Sequence, residues 1–252
     1  QDEIKRWPRP NLFRSLKGLK ADAELYREEN GPLLVEEQKL DSEYSRIIGA
    51  QSVLWKGEEK TIQQMQPLYQ ETDREIRESA WRLVAERQLA DRPAIGELWG
   101  RFLDLRLQVS RNAGYSSYRD YRWQALHRFD YTPSDCRAFR DAIESEVVPA
   151  ASALHAARRK KLGVESLRPW DLSVDPLLRP PLRPYSGGEA LESGVQSVFD
   201  TLDPELGSAF RQMRERGSLD LESRKGKAPG GYCTYFPVEG KPFIFMNGVG
   251  LH

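Results

Sequence analysis

The chain has 252 residues, enough for one large domain or two modest ones with a sizeable core. Hydrophobic residues make up 39% and charged residues 30%, a globular rather than a disordered balance. Lys plus Arg and Asp plus Glu number 38 each, so no global charge favours nucleic acid or an anionic membrane, and no apolar run reaches the length of a membrane span.

The polar start from Gln1 to Arg6 is not a signal peptide, and its lack of Met leads us to expect chain upstream. Residues 20–51 are predicted helical, with a break at Gly31-Pro32. Thr72 and Glu75 have the spacing of a capping box, and Ile76, Ala80, Leu83 and Val84 recur behind them at helical spacing. Pro93 ends that helix near Asp91 and suits the first turn of the next. The apolar face of this second helix is Ile95, Leu98, Trp99, Phe102, Leu105 and Val109, and Gly114 is its stop. Ser117 and Asp120 mark a short helix carrying Tyr121 and Trp123. Thr132, Pro133 and Asp135 mark another, with Phe139, Ile143 and Val147 expected to face inward. Pro149 should kink or restart it before a stop at Gly163.

Residues 168–188 are rich in proline, and Trp170, Leu182 and Tyr185 give this loop something to bury. Ser186 and Glu189 are expected to cap a helix with Leu191, Val195, Val198, Phe199 and Leu202 inside. Asp203-Pro204 begins another that ends near Gly217. Beyond it the pattern turns β-like at residues 219–222, 232–236 and 243–246, with a glycine-rich stretch between the first two. The fold class predicted is mainly α with a small β-hairpin or sheet near the C-terminus. The organisation expected is a partial helical segment over 1–42, a helical region over 43–217 and a small sheet region over 218–252.

Few residues suggest catalysis. His127, His155 and His252 include no pair spaced to put two imidazoles on one helix face, and no His-Glu-x-x-His is present. Cys136 and Cys233 have no metal-ligand spacing and are expected to be reduced, buried thiols of a cytoplasmic protein. Cys136 lies in the first turn of a helix, where a thiolate is favoured, but no histidine partner is identifiable. Residues 224–231, Arg-Lys-Gly-Lys-Ala-Pro-Gly-Gly, are basic and glycine-rich, yet Pro229 removes an amide that a phosphate cradle would use, and a strand follows rather than a helix. A loop that lets a peptide backbone approach Gly230 and Gly231 fits better. Arginines 111, 119, 122 and 128 interleave with Tyr115, Tyr118, Tyr121 and Trp123; internal pairing and cation–π packing are favoured there over single-stranded nucleic acid.

Several strings resemble the oligoendopeptidase F group, relatives of thimet oligopeptidase. They are Arg111-Asn112-Ala113-Gly114-Tyr115, Tyr118-Arg119-Asp120-Tyr121, Arg128-Phe129-Asp130-Tyr131-Thr132-Pro133, Leu167-Arg168-Pro169-Trp170-Asp171, residues 224–234, and Lys241-Pro242-Phe243-Ile244-Phe245-Met246-Asn247-Gly248. They occur in the family's order from about Glu43 onward. The resemblance implies part of an α-helical zincin-like fold, with residues 43–217 as a channel wall. It implies a parent zinc metalloendopeptidase that hydrolyses short peptides with a metal-activated water. In that family the last string leads into the zinc-binding helix. The chain closes at His252 before any such motif, so no catalytic residue and no metal ligand is assigned, and zinc is expected in the parent alone. The resemblance further implies that the strand ending at residues 243–247 is an edge that pairs with substrate. The substrate-binding candidates are Gly230, Gly231, Tyr232, Phe245, Met246, Asn247 and Gly248. The expected partners are short peptides and the remaining part of the same protein, with no nucleic acid and no membrane. The alternative is a non-catalytic α-helical peptide-binding or scaffold protein.

Overall fold

The computed structural model describes residues 10–250; Gln1 to Arg6 and His252 lie outside them. The helices are α1 (Pro10–Leu25), α2 (Asn30–Gly49), α3 (Ile62–Met65), α4 (Arg74–Ala90), α5 (Arg92–Asn112), α6 (Tyr118–Ala125), α7 (Pro133–Ala142), α8 (Val148–Leu162), α9 (Gly187–Leu202) and α10 (Pro204–Glu215). The strands are β1 (Ser52–Trp55), β2 (Glu58–Thr61), β3 (Leu219–Glu222), β4 (Tyr232–Phe236) and β5 (Lys241–Gly248). The mainly helical class with a small sheet near the C-terminus is therefore correct. Among the described residues no helix is long and apolar enough to cross a membrane.

The chain divides into two compact units. One holds the described residues up to Tyr44 together with Pro93–Leu154. Its helices pack through Leu25, Leu40, Leu98, Phe102 and Val109, all buried. Asn30 is buried too, and its amide donates to the Val109 carbonyl at 3.1 Å while its Oδ1 accepts from Asn112 at 2.8 Å, so each polar group has a partner. Thr132 and Asp135, expected at the start of α7, form a capping box there. Pro149 has no N–H, and the chain meets it with a π-helical turn over Ile143–Val147, where the Val148 N–H reaches back to the Ile143 carbonyl. Phe139 of α7 and Val147 of the π-helical turn, expected inside, are exposed: among the described residues no element covers them.

The other unit holds Ser45–Arg92 and the described residues from His155 onward. Its apolar centre is Val53, Met65, Ala80 and Val84, with Trp55, Ile62, Leu68, Tyr69 and Leu83 packed around them. Burial pushes the Tyr69 phenol up to about 12. The β1–β2 hairpin turns on Lys56 and Gly57, both with positive φ. It was not expected from the sequence, where Lys-Gly is a weaker turn signal than Asn-Gly. Asp73, rather than Thr72, caps α4 by accepting from the Glu75 N–H. Beneath α4, Asp171 is fully buried and accepts from Arg74, Arg77 and the Arg168 N–H. Burial raises its carboxyl, but those donors more than offset the rise and leave it below the ordinary carboxylate range.

In the proline-rich loop Trp170 is buried against Trp81, whereas Leu182 is exposed. Val198 and Leu202 of α9 are also exposed, while Gln196 is buried and donates to the Gly207 carbonyl of α10. A Cβ at Gly207 would lie 2.1 Å from Asp200, so α9 and α10 approach too closely there for any side chain. Ser186 makes no side-chain cap on α9; the Glu222 carboxylate takes the Gly188 N–H instead, at 2.5 Å.

Candidate functional site

β3, β5 and β4 form a three-stranded sheet in that order. β3 runs parallel to β5, and β4 runs antiparallel to it through a turn that Gly240 makes with positive φ. This corrects the expectation that residues 243–247 lie on a sheet edge. β5 is the central strand, with both of its backbone edges committed. The edge strands of this sheet are β3 and β4, and β4 is the one that carries the predicted Tyr232.

Which groups β4 offers follows from hydrogen-bond alternation. The Ile244 N–H donates to the Ser218 carbonyl at 2.9 Å, so that peptide group faces β3 and not β4. Cys233 stands opposite Ile244, and Tyr235 stands opposite Pro242, which has no N–H to give. Paired groups alternate along an antiparallel ladder. The ladder bonds therefore join Tyr232, Thr234 and Phe236 to β5, and the backbone N–H and C=O of Cys233 and Tyr235 point away from it, along the outer edge of β4. Tyr232 and Tyr235 are 55% and 60% exposed, and Cys233 is exposed as well. The expectation of a buried thiol fails at Cys233 because it sits on this edge.

The structure gathers most of the predicted site residues at one place. Tyr232 stacks on Phe245 across the strand pair, with ring centroids 4.9 Å apart and planes at 9°. A Cβ on Gly231 would lie 3.1 Å from the Phe245 carbonyl, so the loop runs against β5 with no side chain between. The Asn247 amide donates to the carbonyls of Ala228 and Gly230 at 3.0 and 2.8 Å. Gly248 stands apart from this cluster. It pairs toward β3 and lines a cavity of about 570 Å³ with Tyr185, Gly187 and Gly188. The Met246 carbonyl is taken by the Lys227 ammonium and is not open to a ligand.

Lys227, Asp220, Cys233, Tyr235 and Gly49 were missed from sequence. The Lys227 side chain is 1% exposed, and its ammonium also donates to Asp220 Oδ1, the Asp220 carbonyl and the Glu222 carbonyl. Arg224 holds Asp220 in a two-point ion pair at 2.6 and 2.8 Å, and Lys225 pairs with Glu59. All three cations of the glycine-rich stretch are thus spent internally, which removes the basis for phosphate binding there. The Gly226 N–H donates to the Gly49 carbonyl, and a Cβ on Gly49 would lie 2.7 Å from the Lys227 carbonyl. The one signal for Lys227 was its place between glycine and small residues just ahead of an aromatic strand.

The Arg224 guanidinium foremost, with Lys227, holds the Asp220 carboxyl down to about 2. A carboxylate depressed on folding stabilises the fold above its unfolded value near 4 and loses that contribution as pH falls toward 2. Acid titration followed by near-UV circular dichroism should show this. Asp220→Asn should flatten the pH dependence between about 4 and 2, by roughly 1–2 kcal/mol after allowance for partial solvent screening.

Two arginines of the basic aromatic segment have local partners. Arg119 pairs with Asp120 at 2.8 Å, and Arg128 lies over the Trp123 ring at 4.9 Å. His127 bonds Asp22 at 2.8 Å, and His155 is exposed on α8. Among the described residues no three His, Cys, Asp or Glu side chains gather where they could share a metal ion. A zinc site does not fit the described residues.

Compared with known proteins, residues 68–251 match the family model described as Peptidase family M3. No curated protein matches the chain. Solved structures similar to it include one described as an oligoendopeptidase F and PZ peptidase A with an inhibitor, each at 28% identity and TM-score 0.85. An oligoendopeptidase F structure from Bacillus anthracis, at 24% identity and TM-score 0.85, bears on the fold alone. All three matches cover 94% of this chain. The chain spans only 42%, 42% and 44% of the length of those proteins.

Proposed function

Because this chain belongs to peptidase family M3, we propose that it supplies a substrate-binding wall of a zinc-dependent oligoendopeptidase, with β4 as the strand that pairs with an extended peptide. The observation that carries this reading is the set of outward backbone donors and acceptors on Cys233 and Tyr235, which have no partner among the described residues, beside the Tyr232–Phe245 stack. An incoming strand gains affinity from main-chain bonds and little from its side chains. That suits short, varied, unstructured peptides. The groups that bind and activate zinc belong to other parts of the enzyme, which are the chain's other partner. The described residues bind and align, and by itself this chain hydrolyses no peptide. Its two cysteines are free thiols, which suits the cytoplasm.

The test is a calorimetric titration with an unstructured pentapeptide, with scrambled versions of it, and with the same peptide carrying alternate N-methylated amides. Pairing predicts similar affinity for the scrambled set and at least about tenfold weaker binding after methylation, since each lost backbone bond counts. Equal affinity for methylated and unmethylated peptide would overturn the proposal.

A further inference from the structure

The glycine-rich stretch between β3 and β4 carries Gly226 and Gly230 at positive φ and Gly231 beside them, a composition that leaves a free loop highly mobile. It is nonetheless tied down. The Lys227 ammonium has three hydrogens, and four oxygens lie within reach: the carbonyls of Asp220, Glu222 and Met246, and Asp220 Oδ1. It thereby links both β3 and β5 to the loop. It also sits 4.4 Å from the centre of the Phe245 ring, the ring on which Tyr232 stacks. Five residues, Ala228 to Tyr232, separate Lys227 from Cys233, so the anchor lies one short span from the β4 edge.

We propose that Lys227 is a positioning residue for peptide binding: its buried ammonium fixes residues 226–232 in line with β4 before a peptide arrives. The proposal rests on the reading of β4 as the peptide-binding edge. Ordering the loop during folding removes an entropic cost that an incoming peptide would otherwise meet. Lys227 touches no peptide itself. Asp220 keeps its ion pair with Arg224 when Lys227 is removed, so no isolated charge is left behind.

The experiment compares wild type, Lys227→Met and Lys227→Gln by thermal melting, amide hydrogen exchange across residues 226–236, and titration with the unstructured pentapeptide. In wild type without peptide, the amides of Gly226, Lys227 and Tyr232, each with a backbone acceptor, should be protected. In Lys227→Met they should exchange faster while the Thr234 amide stays protected, and the peptide Kd should rise about tenfold or more. Lys227→Gln, which keeps an amide donor, should fall between. Unchanged loop exchange and unchanged Kd in a folded Lys227→Met protein would overturn the proposal, as would a lowered melting temperature with the Kd unmoved. If neither variant folds, the wild-type exchange decides, and rapid exchange of the Gly226, Lys227 and Tyr232 amides would overturn it. Failure of wild type to bind the peptide would instead remove the edge-strand reading, whereas the exchange data would still report whether Lys227 orders the loop.

Discussion

Asp171→Ala should destabilise the protein by about 3–5 kcal/mol, because it leaves the buried Arg77 guanidinium without its carboxylate. Arg77 would keep its bonds to the carbonyls of Trp170, Glu71 and Thr72, but those oxygens carry no compensating charge. Arg74 would lose a two-point contact at 2.9 and 2.8 Å, and the Arg168 N–H would lose its acceptor. The 3-10 turn that Asp171 caps positions Trp170 against Trp81, so the indole packing should loosen as well. At roughly 2–4 °C per kcal/mol for a chain of this size, the melting temperature should drop by about 10 °C. Glu78→Ala, which removes only a solvent-facing pair with Arg82, should move it by no more than about 1 °C. Differential scanning calorimetry on both variants separates the cases. A shift for Asp171→Ala no larger than the surface control would show that the cluster is not a stability element.

Tyr235→Pro should leave the fold largely intact and abolish peptide binding. The proline removes an N–H that the β4–β5 ladder does not use, since Tyr235 stands opposite Pro242 in a pair without ladder bonds. On the proposed edge, the same change deletes a donor and puts a pyrrolidine ring in the peptide's path. Thr234→Pro, one residue away, should do the opposite. It removes a ladder bond to Phe243 and should cost about 3 kcal/mol through the lost bond and the ring's steric clash. Thermal melting and peptide titration on the two variants form a crossed test, in which stability and binding change at different positions. If Tyr235→Pro binds peptide as wild type does, the edge is not where the peptide lies.

Much of the helical framework was legible because each helix carries its own local punctuation. Thr132 with Asp135, Ser117 with Asp120, and Asp203 with Pro204 act within four residues of chain, and each sits where its spacing placed it. Inward faces were harder. Phe139, Val147, Val198 and Leu202 recur at helical spacing yet are exposed, since periodicity says that a face is apolar and not whether another element covers it. The sheet strands were also found, but not their order. Strand order is a long-range property set by the Ser218 to Ile244 contact and the parallel β3–β5 register, and no local signal fixes it. A clue was present. The run Pro-Phe-Ile-Phe-Met reads as a strand enclosed on both sides, whereas Tyr-Cys-Thr-Tyr-Phe mixes polar groups as an edge does. Lys227 escaped for a related reason. A lysine beside glycines reads as a solvated loop cation until the fold brings three carbonyl oxygens and a carboxylate around it.

Backbone amide NMR of Cys233 and Tyr235 during titration with an unstructured pentapeptide bears most directly on the peptide-binding edge. The account predicts that these two amides shift downfield and become protected from solvent exchange, while the Thr234 amide, already bonded to β5, changes little. Perturbation of Thr234 without Cys233 and Tyr235, or perturbations confined to residues remote from β4, would contradict it.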